Sequence, residues 1–189
     1  MFQSAGTVLP ETRLTLPDGQ DVVLRIEEWV FFREQNAIQV GYRLRNAGSG
    51  SIAVFDRGTY EAHAGAAYTP GPVADPVVVV TGTDMELRHA VSPPGTGESV
   101  PATPLALELA AGAEAKGFFV LAKLGHVAPR RVRWCVSVLP FQKREFRMPQ
   151  ASPFGTIWVL EASARADAVA RQTSVCTPWY EVSTATFER

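Results

Sequence analysis

Apolar and polar residues take turns along most of this chain, and the period is two. In AIQVGYRLRN, Ile38, Val40, Tyr42 and Leu44 alternate with Gln39, Gly41, Arg43 and Arg45. That is the pattern of a strand with one buried face. VVLRI repeats it, with Val22, Leu24 and Ile26 on one side and Val23, Arg25 and Glu27 on the other. The phase then breaks at Glu27-Glu28, ahead of WVFF, where one extra residue predicts a bulge. REQN at 33–36 predicts the turn between these strands. NAGSG at 46–50 predicts the next turn, and SIAVFD a third strand.

Further on, VVVVTG predicts a buried strand, since it is apolar on both faces. MELRHAV predicts another, with Met85, Leu87, His89 and Val91 on one side. LALEL and KGFFVLA flank AAGAEA and predict a hairpin. RVRWCVSVLP sets Val132, Trp134, Val136 and Val138 inward, and Arg131, Arg133, Cys135 and Ser137 outward. FGTIWVLEA reads as the last strand of the series. Pro/Gly-rich stretches at 57–76 and 92–104 predict long loops. The alanine-rich EASARADAVARQ predicts a short helix over 161–172. Eight or nine short strands between Gly/Pro turns predict an all-β antiparallel sandwich or barrel. We expect one β-sandwich domain over 21–165. Residues 1–20 precede it as an arm or first edge strand, and residues 166–189 follow as an extension packing on it.

The order YRLRNAGSGSIAVFD, LALELAAGAEAKGFFVL, RVRWCVSVL resembles bacterial immunoglobulin-like or fibronectin-III-like sandwich modules. The resemblance covers roughly residues 20–165, with a turn AAGAEA that lacks the proline such modules carry. It implies an immunoglobulin-like sandwich and transfers no catalytic residue, because that superfamily shares none. The intersheet disulfide of antibody domains is not implied. Residues 22–32 hold no cysteine, and Cys135 stands one step off the inward face.

Composition narrows the function classes. The chain has 189 residues, 46% hydrophobic and 20% charged, with a formal net charge of −1. That balance does not predict binding to nucleic acid. No apolar run approaches the roughly 20 residues of a spanning helix. The first residues show no basic-then-apolar leader. Two placements stay open: the cytoplasm, or the periplasm or exterior for a chain whose leader was removed.

Candidate chemistry is sparse. Cys135 and Cys176 are either two unrelated thiols or a disulfide that pins the C-terminal segment across the outer face of the sheet. A bridge implies an oxidising compartment. His63, His89 and His126 show no metal-ligand spacing. Met85 and His89 share a face but lie about 13 Å apart along a strand, too far to chelate one ion by themselves. Nucleophile and phosphate-loop motifs are missing. Residues 130–147 gather Arg130, Arg131, Arg133, Lys143, Arg144 and Arg147 against the single acid Glu145. That run reads either as a docking surface for an acidic partner or as a solvated edge. It hangs from one end of the sandwich if 131–140 and 156–162 form a hairpin. Tyr60, His63 and Tyr68 make a second candidate surface on the loops. The expectation is a non-catalytic binding or assembly module with a protein partner and no cofactor. The alternative is an extracytoplasmic metal-handling or protease-inhibitor-like protein on the same scaffold.

Overall fold

The computed structural model describes residues 9–60, 73–93 and 103–189. His63, Tyr68 and most of both long loops lie outside these residues. The described chain is mostly β. Its strands are β1 (Glu11–Thr15), β2 (Asp21–Phe32), β3 (Ala37–Asn46), β4 (Ile52–Val54), β5 (Thr59–Tyr60), β6 (Val77–Thr81), β7 (Asp84–His89) and β8 (Thr103–Leu109). They continue with β9 (Glu114–Leu121), β10 (Arg131–Pro140), β11 (Phe146–Ser152), β12 (Gly155–Leu160), β13 (Thr173–Cys176), β14 (Tyr180–Glu181) and β15 (Thr186–Phe187). The 161–172 segment forms a 3-10 turn, Ala162–Ala164, that runs into the helix α1 (Arg165–Arg171).

Two sheets result. The first has the order β1-β2-β3-β9 and is antiparallel throughout. The β2–β3 register slips between Ile26 and Glu28. The expected bulge is there, and Glu27 is the extra residue. Beyond it Trp29 and Phe31 turn inward while Val30 and Phe32 face out. The second sheet has eleven strands, with β11-β12-β8-β4-β10-β14-β15 as its main path. It is mixed, because β7 and β10 run parallel from Arg131↔Asp84 to Val136↔His89. This breadth and the parallel pair depart from the compact antiparallel layer that the immunoglobulin resemblance implies.

The two sheets face each other over one core. Val22, Leu24, Ile26, Ile38, Val40, Tyr42 and Leu44 come from the first sheet. Ile52, Val54, Met85, Leu87, Leu105, Leu107, Val132, Trp134, Val136 and Val138 come from the second. A smaller second core lies on the far side of the second sheet. There Ala53, Phe55, Ala106, Leu139, Trp158 and Leu160 pack with Phe146 and with Ala168 of α1. The central strands β4, β8 and β12 are therefore apolar on both faces. Gly117 lets Tyr42 reach this interior, since a Cβ there would stand 2.0 Å from the Tyr42 ring.

Three expectations need correction. VVVV is an exposed edge, not a buried strand: β6 pairs with β7 alone among the described residues, and Val77 and Val80 are 61% and 55% exposed. β8 and β9 form no hairpin, because β8 pairs in the second sheet and β9 in the first, so the turn between them crosses layers. β10 and β12 do not pair; β8 and β4 stand between them.

Candidate functional site

β10 is the junction of the second sheet. Along one edge it receives β7 at its N-terminal half and β4 at its C-terminal end. Along the other it receives β14 and then β13. Residues 131 and 133 therefore sit at an open end of the outer face, and residues 135, 137 and 139 sit deeper, toward α1. That gradient explains the company Cys135 keeps. It shares a face with the arginines yet is 1% exposed.

Cys135 and Cys176 are bonded. They stand directly opposite each other in the β10–β13 ladder. Directly opposed residues of antiparallel neighbours project from the same face. The bridge thus joins two adjacent strands. It does not clamp a segment laid across the sheet as expected, because the C-terminal chain inserts beside β10 rather than over it. One rung further, the Ser137 and Ser174 hydroxyls lie 3.1 Å apart.

This rung and the disulfide floor a groove of about 540 Å³. Glu86, Arg88 and Arg133 line one end; Val91–Pro93, Val169 and Gln172 line the other. Gln172 holds that wall by reading both backbone groups of Val91: its Oε1 accepts from Val91 N at 2.9 Å, and its Nε2 donates to Val91 O at 2.8 Å.

The charges on this face are paired with one another. Arg133 donates to Glu86 at 2.5 Å, and Arg88 reaches the other oxygen of Glu86 at 2.5 Å. Burial pushes the Glu86 carboxyl up, but the two guanidiniums outweigh it and hold the group below the usual range. Arg131 pairs with Asp84 at 2.8 Å and with Glu188 at 3.0 Å. Arg130 pairs with Asp84 at 3.3 Å. Arg131, ahead of Arg130, holds the Asp84 carboxyl low by hydrogen bonding. Trp179 lies against both Arg131 and Arg133, 4.6 and 4.5 Å from its ring centre, a cation–π arrangement.

The basic run does not form one patch. Arg130, Arg131 and Arg133 stand at the start of β10. Lys143 and Arg144 lie past its other end, in an exposed 3-10 turn, about 33 Å along a ten-residue strand. Arg147, on β11, pairs with Glu161 at 3.5 Å. Glu145, the lone acid of the run, is buried and paired with Arg171 at 2.6 Å.

A second polar cluster is sealed between the sheets. Tyr42 donates its hydroxyl to Asp56 Oδ2 at 2.6 Å. Arg57 Nε lies 3.0 Å from Asp56 Oδ1, with side chains only 7% and 2% exposed. Burial first, and the Asp56 charge next, push the Tyr42 hydroxyl well above its ordinary value. It is a fixed donor, not an acid. Beside it, Trp134 Nε1 donates to His89 Nδ1 at 2.9 Å, and His89 Nε2 lies 2.7 Å from Ala74 O. The indole can only donate, so His89 Nδ1 must be bare and Nε2 must carry the proton. Burial drives the His89 pKa down, against the opposing pull of the Ala74 carbonyl. Phe119 closes the cluster edge-on to His89, with centroids 5.4 Å apart. Both ring nitrogens of His89 are engaged, and Met85 is a core residue. Among the described residues no three His, Cys, Asp or Glu side chains converge as metal ligands.

Sequence reasoning missed this cluster. Its one legible trace was Asp56-Arg57, a charged pair placed directly after the apolar strand SIAVF. A third region was missed as well: Val30, Phe32, Phe118 and Val120 stand exposed together on the outer face of the first sheet, with β3 residues Ala37, Gln39 and Gly41 between them. No helix of the described residues is long and apolar enough to cross a membrane. No family model, no curated protein and no solved structure matches this chain.

Proposed function

We propose that this chain is a non-catalytic binding or assembly module, a two-layer sandwich of immunoglobulin-like type that contacts another protein through the apolar end of its first sheet. One observation carries the reading. Phe118 and Val120 are 48% and 44% exposed on β9, and β9 pairs only with β3 among the described residues. Val30 and Phe32 extend the same apolar surface two strands away. Exposed aromatic side chains beside an open strand edge are what a partner strand uses, with main-chain hydrogen bonds for affinity and side chains for specificity. The fitting partner is an extended segment with apolar side chains on the outward face.

The arginines of β10 support a structural role instead, since each already holds a carboxylate. Lys143 and Arg144 are the part of the basic run best placed to steer an acidic partner.

Site-specific photocrosslinking tests the reading. A photoreactive residue at Val120 or Phe118, introduced into the protein in its native cell, is expected to give discrete protein adducts. The same residue at Arg13, on the opposite edge strand of that sheet, is expected to give none. Equal labelling at all three positions, or none at Val120 and Phe118, rejects it.

A further inference from the structure

Among the described residues the second sheet has an open edge of its own at β6, which pairs with β7 alone. β1 is five residues long, set between Pro10 and Pro17, and shows Glu11 and Arg13. β9 is charged only over its first half, at Glu114 and Lys116, ahead of the exposed Phe118 and Val120. β11 carries Arg147 and Pro149 and is bulged between Arg147 and Gln150. Charges, prolines and bulges are how proteins keep strand edges from pairing. β6 reads Val-Val-Val-Val-Thr; Pro76 directly precedes it, but within the strand there is no charge, proline or bulge. Four β-branched residues in a row favour the extended backbone, and on an edge they invite another strand.

We propose that β6 joins two copies of this chain edge to edge, antiparallel about a two-fold axis at Val79. The strand is self-complementary in that register. Val79 meets its own counterpart, Val78 meets Val80, and Val77 meets Thr81, so every opposed pair is β-branched.

The flanking strand continues the match on the core face. Leu87 stands beside Val78 and Met85 beside Val80, on the side of the main core. Each row across the junction then reads Leu87, Val78, Val80, Met85, and the two cores become continuous. On the other face Arg88 stands beside Val77 and Asp84 beside Thr81. Rows there end in Arg88 on one copy and Asp84 on the other, about 14 Å apart and each already paired within its own copy, so no like charges oppose the junction. The central row ends in Glu86 on both sides, and each Glu86 is already neutralised by Arg88 and Arg133. A five-residue junction is small, so the dimer belongs with weak associations burying under about 1,200 Å². This inference concerns a different sheet from the proposed partner surface, and either can fail alone.

Sedimentation velocity on the intact chain, from about 1 to about 300 µM, spans the range such small interfaces need. The dimer fraction is expected to rise with concentration. Val79→Lys sets two like charges opposite each other and is expected to weaken dimerisation by at least about tenfold, with an unchanged circular dichroism spectrum. Under mild oxidation, Val79→Cys is expected to crosslink to itself, because opposed strand positions lie about 4.5 to 5.5 Å apart. Val77→Cys alone is expected to stay uncrosslinked and to crosslink when mixed with Thr81→Cys. A monomer at every concentration overturns the proposal. So does efficient self-crosslinking of Val77→Cys, or a dimer that survives Val79→Lys and is broken by Phe118→Lys. The crosslinking series decides the register even if the lysine variant folds poorly.

Discussion

Trp134 donates its indole N–H to the bare Nδ1 of His89, and the two side chains are 0% and 4% exposed. A protonated imidazole would turn an N–H toward that indole N–H, so the folded protein holds His89 neutral.

Stability should therefore fall in weak acid. The folded state keeps the His89 pKa below its ordinary value of 6.5, burial being the main cause. In the unfolded chain the group titrates normally. Between the two values the unfolded state binds more protons, so the stabilisation is complete above the unfolded pKa and is lost as pH falls toward the folded one. One proton gives a slope of at most about 1.4 kcal/mol per pH unit. Urea unfolding from neutral pH downward should show that slope in the wild type and a shallower one in His89→Gln. Identical slopes would remove His89 from the account.

The same interior should penalise Tyr42→Phe. Asp56 then loses the hydroxyl that donates to Oδ2 while remaining 2% exposed. Hydrogen bonds to charged groups contribute about 1.5–3 kcal/mol, and the loss should appear in the denaturation midpoint at neutral pH. A change under about 0.5 kcal/mol, the scatter of ordinary surface substitutions, would mean that water replaces the phenol.

The disulfide should carry as much stability as a large core side chain. It closes a separation of 41 residues, for which loop-closure entropy predicts about 4 kcal/mol. Unfolding with and without reductant, and in a Cys135→Ser, Cys176→Ser double variant, measures it. Two free thiols in protein purified from its native compartment under non-reducing conditions would contradict the bridge.

Gly117→Ala should cost more than Gly41→Ala. At 117 the new methyl meets the Tyr42 ring at 2.0 Å, and at 41 its nearest neighbour is Glu28 Cβ at 3.1 Å, a contact that a shift of a few tenths of an ångström relieves. Overpacking costs about 1–3 kcal/mol. Thermal unfolding of the two variants side by side should rank them in that order.

Alternation along the chain told which side of a strand is covered, and it did so well. The inward sets of β2, β3, β7 and β10 are buried as their spacing predicts, and the broken phase at Glu27-Glu28 is the bulge. Alternation does not tell what does the covering. Cys135 and Ser137 share a face with Arg131 and Arg133, yet β13 and α1 crowd only the far end of that face. Four valines read as doubly buried because burial on both sides and exposure on both sides leave the same run. The β7–β10 pairing is invisible locally, since the two segments are some 40 residues apart and parallel. The Tyr42–Asp56 and Trp134–His89 pairs were hidden for the same reason: each joins segments that only the fold brings together.

The junction at β10 also sets a timetable. Its four partner strands come from positions as early as 52 and as late as 181. Contacts that far apart in sequence make for slow folding. A chain emerging from the ribosome can assemble β1, β2 and β3 while it lengthens, but β10 keeps one raw side until residues 173–181 have been synthesised. Until then Cys135 waits without its mate, and an early oxidant meets a thiol that can be captured in a wrong disulfide before Cys176 arrives.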